Sequence, residues 1–281
     1  MTSPNPNEDV TPVPVWDGEG EDPWLPARLQ SLLDAGVAER SIYEVVWDEL
    51  SSWLVATARR VLRGPVIDTD AILAQEPAWQ RRITQIILEG ILPVMAQAYQ
   101  GIFGREYDWR ERPNVIQYLI GVRNRLSREP QETFDLVAGQ IAAGVTLGEG
   151  MSELRDRVDE VLSTTKSARW KNRAVVIART ESLGALNGSR ADAFQAFAEE
   201  GGEGMERMWL STIDSRTRPS HVLADGQRVG LTDPFIVGGF PLMFPGDPSG
   251  PAGEVIQCRC TTLLLEIGEN VDMSRRQLRR R

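Results

Sequence analysis

The chain has 281 residues, of which 41% are hydrophobic, and its formal net charge is −9. This length and apolar content can fill one large domain core or two smaller ones. The acidic balance excludes a protein whose whole surface binds nucleic acid, so any DNA contact has to be local. Two cysteines exclude a disulfide framework, and the first residues show no secretory leader, so we expect folding in a reducing cytoplasm.

Residues 1–25 combine several prolines with acidic side chains and contain few large apolar residues. A segment of this composition cannot bury enough apolar surface to offset the entropy lost on ordering. We therefore predict a disordered, acidic, proline-rich tail. The alternative is a docking peptide in which Val15-Trp16 or Trp24-Leu25 anchors a partner, because isolated aromatic residues suit that role.

Helical patterns fill residues 26–145, and no strand pattern interrupts them. Ser41-Ile-Tyr-Glu44 has the form of a capping box, which predicts that a helix starts there. Gly64-Pro65 predicts the end of the same helix, because neither residue continues helical structure well. We therefore predict a helical domain over residues 26–145.

Prolines mark the other helices of this domain. A second helix is predicted from Pro77 to Tyr99, with a kink or division at Pro93. A third is predicted to begin at Pro113, and a fourth to run from Pro130 to Gly144. Together with the first helix they form a helical array.

The most apolar run of the chain extends from Ile83 to Ala98 and is interrupted by Glu89, Gly90 and Pro93. It falls short of the ~20 apolar residues that a membrane-spanning helix needs. We predict a buried or amphipathic helix here and no association with a membrane.

Residues 146–268 predict a smaller α+β domain. A long helix is expected from Lys166 to Glu200, and strand formers are concentrated in Arg207–Ile213 and Thr261–Ile267. A long Gly/Pro loop is predicted over Gly238–Gly253, and loops of that length are usually functional or held in place by neighbours. The predicted fold class is α+β, with a mostly helical N-terminal part and a smaller α+β domain that has a few short strands.

The one histidine and both cysteines of the chain, His221, Cys258 and Cys260, lie in this second domain. Imidazole nitrogen and thiolate sulfur are preferred ligands of zinc. Extended backbone at residues 258–260 would place both thiols on one face. One hypothesis is therefore a zinc site. In the alternative, the cysteines are small buried apolar residues and His221 bonds a backbone carbonyl.

The same segment carries short motifs in a fixed order. They are Ile177-Ala-Arg179-Thr180-Glu181 with Ala185, Asn187 and Arg190, then Trp209, Asp214-Ser-Arg216-Thr-Arg218-Pro-Ser-His221, Asp225-Gly226, Pro245-Gly-Asp247-Pro248 and Cys258-Arg-Cys260. This order resembles the signature of the phage Mu F-like head morphogenesis proteins, which are minor capsid proteins of tailed phages. The resemblance covers roughly residues 136–265, and several independent pieces in one order make it specific.

The resemblance implies that a set of these residues forms a structural motif: Arg179, Thr180, Glu181, Trp209, Asp214, Arg216 and Arg218. Other members of the family can have a cysteine where this chain has Arg218, and a histidine before the Cys-Arg-Cys where it has Val255. A four-coordinate zinc site would need a fourth ligand from a carboxylate or water, the carboxylate candidates being Asp214, Asp225 and Asp247. A disulfide is disfavoured by the spacing of the cysteines and by a reducing compartment.

An enzymatic interpretation is the alternative to a structural one. Arginines and carboxylates near one histidine could support a zinc-dependent hydrolase or nuclease, or a nucleotide-using transferase. The sequence contains no phosphate-binding Gly-rich loop, no nucleophile elbow and no second histidine. We therefore predict a protein that is not an enzyme, in which Glu181 pairs across the helix–sheet junction and Arg216 and Arg218 hold the turn.

Residues 269–281 form a basic tail in an otherwise acidic chain. Its last eight residues contain five arginines: Arg275, Arg276, Arg279, Arg280 and Arg281. Such a tail can bind DNA phosphates or an acidic partner, or it can be a solvated end.

By resemblance, the protein would be a minor structural component of the virion, made in the host bacterial cytoplasm. It would enter the procapsid in a few copies near the portal vertex. The implied partners are the portal and the capsid or scaffolding proteins, with a DNA contact through the basic tail.

Overall fold

The computed structural model describes residues 25–104 and 107–270, without the side chains of 25–32, 103 and 111. Its α-helices are α1 (Leu25–Val61), α2 (Asp70–Leu73), α3 (Glu76–Gln85), α4 (Leu92–Phe103), α5 (Pro113–Leu126), α6 (Glu129–Thr146), α7 (Met151–Leu162), α8 (Arg169–Glu199), α9 (Pro219–Ala224) and α10 (Ala252–Val255). Its strands are β1 (Met205–Leu210), β2 (Arg228–Val229), β3 (Phe235–Val237), β4 (Phe240–Leu242) and β5 (Thr261–Glu266). The fold is α+β with a mostly helical N-terminal part, as predicted. Apart from their inner ends, the two predicted tails lie outside the described residues.

Helix α1 is continuous from Leu25 to Val61, so the predicted helix start at Ser41 is wrong. Buried residues recur every three or four positions on both sides of Ser41, namely Ala35, Ala38, Ile42, Val46 and Leu50. Burial of this apolar stripe stabilises the helix across Ser41, so the capping-box pattern does not act as a cap. The predicted helix end is confirmed, since α1 stops shortly before Gly64-Pro65.

The prolines begin helices as predicted. Pro77 and Pro93 lie in the first turns of α3 and α4, and Pro113 is the first residue of α5. Between α3 and α4 the backbone forms a π-helix at Ile86–Ile91. Pro93 cannot donate a backbone hydrogen bond to the preceding turn, so the helix widens immediately before it. The predicted division of the second helix at Pro93 is confirmed.

The described chain divides into two compact units. The helical unit comprises residues 42–90 and 119–177, and the strand-bearing unit comprises the described parts of 1–41, 91–118 and 178–281. Helices α1, α5 and α8 each contribute residues to both units. The domain boundaries expected from the sequence, at residues 25, 145 and 268, stay a prediction.

Two tryptophans organise the core of the helical unit. The rings of Trp53 and Trp79 lie 5.4 Å apart between centroids, and both side chains are buried. The indole of Trp79 donates to the carbonyl of Leu126 at 2.6 Å, and that of Trp53 donates to the carbonyl of Gln75 at 3.4 Å. The polar edges of these large side chains are thereby satisfied inside the apolar core.

The strand-bearing unit contains a three-stranded antiparallel sheet in the order β2-β1-β5. Strand β1 pairs with β5 along its whole length, with Trp209 opposite Thr262 and Arg207 opposite Leu264. Both strands were predicted, to within three residues at each end. Their pairing brings the segment after Trp209 next to the segment before Thr261, where the candidate site lies.

The long loop predicted over Gly238–Gly253 contains more regular structure than expected. Strands β3 and β4 form a hairpin whose turn is Gly238-Gly239, and α10 follows at Ala252–Val255. Both glycines have positive φ angles, 59° and 87°, which a two-residue hairpin turn requires. Asp247 orders the rest of the loop by accepting hydrogen bonds from the backbone amides of Met243 and Ser249.

Within residues 25–104 and 107–270, no helix has the length and apolar character needed to cross a membrane.

Candidate functional site

Helix α8 is the platform of the candidate site. Gly184 and Gly188 lie one turn apart on the helix, and a loop containing Phe244 and Gly246 approaches them closely. A Cβ atom added to Gly184 would lie 3.3 Å from the carbonyl oxygen of Gly246 and 2.9 Å from the hydroxyl of Tyr118. The loop can reach its observed position only because Gly184 and Gly188 have no side chains.

Two polar residues of α8 hold the Cys-Arg-Cys segment at both ends. The Thr180 hydroxyl accepts a hydrogen bond from the backbone amide of Gln257 at 3.1 Å. The Asn187 amide, fully buried, donates to the carbonyls of Cys260 at 2.9 Å and Pro245 at 3.0 Å. Its oxygen accepts from the hydroxyl of Thr261 at 3.0 Å. These bonds join the α8 motif directly to the Cys-Arg-Cys motif.

The turn after β1 is joined to the same segment. The carboxylate of Asp214 accepts a hydrogen bond from each terminal guanidinium nitrogen of Arg259, both at 2.6 Å. The Thr212 hydroxyl donates to the backbone carbonyl of Arg259 at 2.7 Å, and the Arg218 guanidinium donates to the carbonyl of Ile256. Although burial raises the pKa of Asp214, hydrogen bonds from Arg259 and the Arg216 amide lower it to about 2.

His221, Cys258 and Cys260 converge as the soft-ligand cluster. The Nδ1 atom of His221 lies 3.3 Å from the sulfur of Cys260 and 3.7 Å from that of Cys258. The three ligand atoms all lie within 4.8 Å of one another, and all three residues are buried. This is the one group of three or more potential metal ligands in the described part of the chain. Two thiols and an imidazole form a donor set suited to zinc.

The other ring nitrogen of His221 faces a carboxylate that the sequence analysis did not select. Nε2 lies 3.0 Å from Oε2 of Glu254 on α10, and the same oxygen accepts from the hydroxyl of Ser220 at 2.7 Å. The ring of Trp209 meets the imidazole edge-on, with centroids 5.7 Å apart and planes 88° apart. The imidazole is therefore held at both nitrogens and across its plane.

The electrostatics of the soft-ligand cluster favour a thiolate at Cys260. Burial raises the pKa of Cys260, but hydrogen bonds from Cys258 and His221 outweigh burial and place it well below the usual range. The hydrogen bond to Cys260 and burial raise the pKa of Cys258 well above the usual range. Burial lowers the pKa of His221, and the interaction with Cys260 reverses this and raises it. Thiolate is the form in which cysteine binds metals.

The three carboxylates considered as a fourth zinc ligand are engaged elsewhere. Asp214 binds Arg259, Asp225 accepts from the Ser211 amide at 2.8 Å, and Asp247 orders its own loop. None of the three belongs to the group of potential ligands around His221. The sequence left four candidates for the fourth zinc ligand, namely these three carboxylates and water. Because the carboxylates have other partners, water is the remaining candidate.

The remaining motif residues act in packing and hydrogen bonding. Arg179 pairs with Glu39 of α1 at 2.8 Å, and Trp209 is fully buried. Glu181 is 2% exposed, and its carboxylate accepts from the Tyr118 hydroxyl at 3.4 Å. Arg216 is exposed, and its backbone amide donates to Asp214. The five tail arginines lie outside the described residues.

Arg207 is a buried residue that the sequence analysis missed. Its side chain is 1% exposed and donates to the carbonyls of Gly230, Asp233 and Met243. Burial lowers its pKa to about 10, and the charge of Asp233 opposes that shift. A strand position two residues before the buried Trp209 shares its face, which was the available signal for burial. Arg207 joins β1 to the loops on either side of the β3–β4 hairpin.

Known proteins resemble this chain over the region that contains the site. A family model described as Phage Mu protein F like protein matches residues 135–263. The NAD(+)--arginine ADP-ribosyltransferase EFV of Enterococcus faecalis is 28% identical over 189 residues, which are 59% of this chain and 37% of that protein. The minor head protein GP7 of Bacillus phage SPP1 is 30% identical over 163 residues, which are 57% of this chain and 50% of GP7.

The chain thus spans half or less of the length of these two relatives. No solved protein structure matches it at a comparable significance. The family match contains α8, the turn after β1 and the Cys-Arg-Cys segment, which the hydrogen bonds described above join together. Over residues 135–263, the chain is similar to the phage Mu F-like family.

Proposed function

We propose that the protein is a minor capsid protein that acts in phage head morphogenesis and has a structural role. The observation that carries this proposal is the 30% identity to the minor head protein GP7 over 163 residues. The similarity includes more than half of this chain, so it concerns a whole folded region and not one short motif.

A second candidate function comes from the relative named as an ADP-ribosyltransferase. That name describes a protein of which this chain spans 37%. The contacts in this chain resemble those of a catalytic triad: His221 lies between the thiol of Cys260, in the place of a nucleophile, and the carboxylate of Glu254, in the place of the group that orients the base. Cys260 and His221 are each 2% exposed, however, so a substrate has no access to them in this conformation. Burial favours a structural role over both the thiol-based and the zinc-dependent enzyme.

We propose that the soft-ligand cluster holds a structural zinc ion. The ion would join α9 to the segment before β5 and so close the chain between His221 and Cys258. Because these ligands come together only in the folded chain, the binding free energy of the ion would add to the stability of the fold. His221, Cys258 and Cys260 would hold the ion, and a tetrahedral zinc ion would need a water molecule as its fourth ligand.

The proposed partners are the portal and the capsid or scaffolding proteins of a tailed phage. In this proposal the protein enters the procapsid in a few copies near the portal vertex and remains in the virion. The basic tail adds an electrostatic contact with DNA or with an acidic partner, since five arginines can neutralise several phosphates.

Co-expression tests the proposed function. The tagged full chain is produced together with the portal, scaffolding and major capsid proteins encoded alongside it, and assembled particles are isolated by sedimentation. We expect the chain in purified procapsids at a few copies each. The control is a variant in which glutamine replaces the five tail arginines. It shows whether the chain is found in the particles only because its basic tail binds them electrostatically.

Two results would contradict the proposal. In one, procapsids assemble in normal number and never contain the chain. In the other, the purified protein modifies an arginine acceptor when supplied with NAD+, and this activity disappears in a folded Glu254→Gln variant. The second result would promote the enzymatic alternative.

A further inference from the structure

We propose that Glu254 is a positioning residue for metal binding. It keeps the proton of His221 on Nε2, so that Nδ1 presents its lone pair, together with the thiolates of Cys258 and Cys260, to a soft divalent cation such as zinc. This inference rests on the proposed structural zinc ion. It assigns a role to a residue that is not itself a ligand.

The geometry separates the two ring nitrogens of His221. Nδ1 faces the sulfurs of Cys260 and Cys258 at 3.3 and 3.7 Å, whereas Nε2 faces Oε2 of Glu254 at 3.0 Å. A neutral imidazole has one N–H donor and one lone pair, and an ionised carboxylate can only accept. Without metal, the Cys260 sulfur competes with Glu254 for the ring proton, because it faces Nδ1. A metal held by the sulfurs would replace the proton at Nδ1, and the carboxylate of Glu254 would then accept the proton of Nε2 and hold the ring with Nδ1 towards the metal.

Glu254 is itself held in this position. The Ser220 hydroxyl donates to the same Oε2 atom at 2.7 Å. Gly238 lies against its other oxygen, because a Cβ atom there would be 2.6 Å from Oε1. The hairpin turn thus has a glycine at the point where the carboxylate needs space. Ser220, Glu254 and Gly238 come from three different elements and converge on one hydrogen bond to His221.

The backbone and the ring plane of His221 are fixed independently. The Ser211 hydroxyl donates to its carbonyl at 2.6 Å, and Trp209 packs edge-on against the imidazole. With the backbone and ring plane held, the hydrogen bond to Glu254 favours the form of the imidazole in which Nε2 carries the proton and Nδ1 is free to bind a metal. Loss of such a partner typically weakens metal binding 10- to 100-fold, roughly.

The contact has a simpler interpretation, in which Glu254 only satisfies a buried N–H of His221. In that case its removal would lower stability equally with and without metal, and the affinity for metal would not change. Zinc affinity and the protonation state of the ring nitrogens therefore distinguish the two roles.

The chain allows a direct measurement, because His221 is its one histidine. With 15N-labelled histidine, long-range 1H–15N spectra contain a single imidazole, and they report which nitrogen carries the proton. In the zinc-loaded protein we expect a proton on Nε2 and metal at Nδ1. Zinc affinity is measured by competition with a chromophoric chelator, and cobalt(II) loading reports thiolate ligation by its charge-transfer absorption.

Three variants complete the test. Glu254→Ala should bind zinc about 10 to 100 times more weakly than the parent. Glu254→Gln retains an oxygen acceptor and should recover part of that loss. Glu206→Ala is the matched control, because Glu206 is 17% exposed like Glu254 and pairs with Arg228 in the same unit. Its zinc affinity should equal that of the parent.

The outcomes separate this inference from the proposed zinc ion. If the folded parent binds neither zinc nor cobalt, both proposals are wrong. If the parent binds zinc but Glu254→Ala binds it equally well, or if the spectra show metal at Nε2, the zinc ion stands and the positioning role is wrong. Should Glu254→Ala fail to fold, Ser220→Ala replaces it, with an expected smaller loss of affinity; unchanged affinity in that variant would also contradict the positioning role.

Discussion

Asp214 and Arg259 form a two-point ion pair in which each carboxylate oxygen accepts one terminal guanidinium nitrogen at 2.6 Å. The pair joins the turn after β1 to the middle residue of the Cys-Arg-Cys segment. The arginine between the two cysteines thus has a clear role. It holds the segment from the side while its neighbours Cys258 and Cys260 point into the soft-ligand cluster.

The first prediction concerns Asp214→Asn. The pKa of Asp214 is about 2 in the folded protein, below the value of about 4 for an unfolded aspartate. A carboxylate with a lowered pKa contributes stability above its unfolded pKa, and this contribution is lost as pH falls towards the folded value. The shift corresponds to about 2 kcal/mol, and solvent screening reduces the expected contribution to about 1 kcal/mol. We expect Asp214→Asn to lower the unfolding free energy by that amount at pH 7.

Urea unfolding at a series of pH values measures this effect. The difference between the parent and Asp214→Asn should shrink as pH falls from about 4 to 2. Asp159→Asn is the control, because Asp159 pairs with Lys166 on an exposed surface, where an ion pair contributes little to stability. A constant difference across this pH range would show that the charge of Asp214 does not stabilise the fold.

The second prediction concerns Asn187→Ala. Asn187 is fully buried and makes hydrogen bonds to Pro245, Cys260 and Thr261. Its removal leaves buried carbonyl groups without their donor, and each such group costs about 1–3 kcal/mol. We expect a loss of about 3 kcal/mol in unfolding free energy. Chemical denaturation measures it, with the exposed Asn172→Ala on the same helix expected to change stability by less than about 0.5 kcal/mol.

The third prediction compares two helical glycines. At Gly139 of α6, nothing lies within 4 Å of an added Cβ atom, so Gly139→Ala should raise stability by about 0.5–1 kcal/mol through helix propensity. At Gly184 of α8, the same atom would meet Tyr118 at 2.9 Å and the Gly246 carbonyl at 3.3 Å. We expect Gly184→Ala to lower stability by about 1–2 kcal/mol.

Thermal and urea unfolding of both glycine variants measure the sign of each change. Equal stabilisation by both would mean that the loop moves away from α8 at no cost. In that case the close approach of Gly246 to Gly184 would not be needed for the fold.

Elements with a local signal were predicted well from the sequence. Pro77 and Pro113 specify helix starts because a fixed φ and a missing N–H favour the first turn. The strand around Trp209 and the final strand follow from strand-forming residues, and the structure pairs them. The three soft ligands could also be selected, because the chain has one histidine and two cysteines and all lie in one segment.

Features that depend on distant partners were not predicted. Ser41 has the sequence of a cap, yet an apolar stripe on both sides continues the helix through it. Glu254 lies on the short helix α10 after a glycine-rich loop, and it contacts His221, which is 33 residues away in the sequence. Arg207 is buried because three carbonyls from other segments surround its guanidinium. The neighbouring sequence could have indicated the long helix through Ser41 and the burial of Arg207, but it does not identify the carbonyls that bind Arg207 or the histidine that faces Glu254.

The fourth prediction tests the proposed zinc ion. Purified protein should contain about one zinc per chain, and a chelator should lower its unfolding midpoint. Cys258→Ala should lose both the metal and the response to chelator. Leu265→Ala is the control: Leu265 is buried on β5 and is not a ligand, so the variant should be less stable but keep the chelator response.

Elemental analysis also tests the alternative in which the cysteines are buried apolar residues and bind no metal. If the cysteines only fill the core, the protein contains no zinc and the chelator has no effect. Cys258→Ala would then still cost on the order of 1–2 kcal/mol as a core truncation.

The fifth prediction concerns the basic tail, whose function is a proposal from the sequence. Replacing Arg275, Arg276, Arg279, Arg280 and Arg281 with glutamine should weaken binding to DNA or to an acidic partner. Each phosphate that the tail neutralises contributes about −0.9 to the slope of log affinity against log salt concentration. The variant should therefore show a shallower slope, measured by fluorescence anisotropy with a DNA duplex and with the acidic partner. Because the rest of the chain is acidic, an unchanged slope for both ligands would mean that the tail contributes nothing to binding.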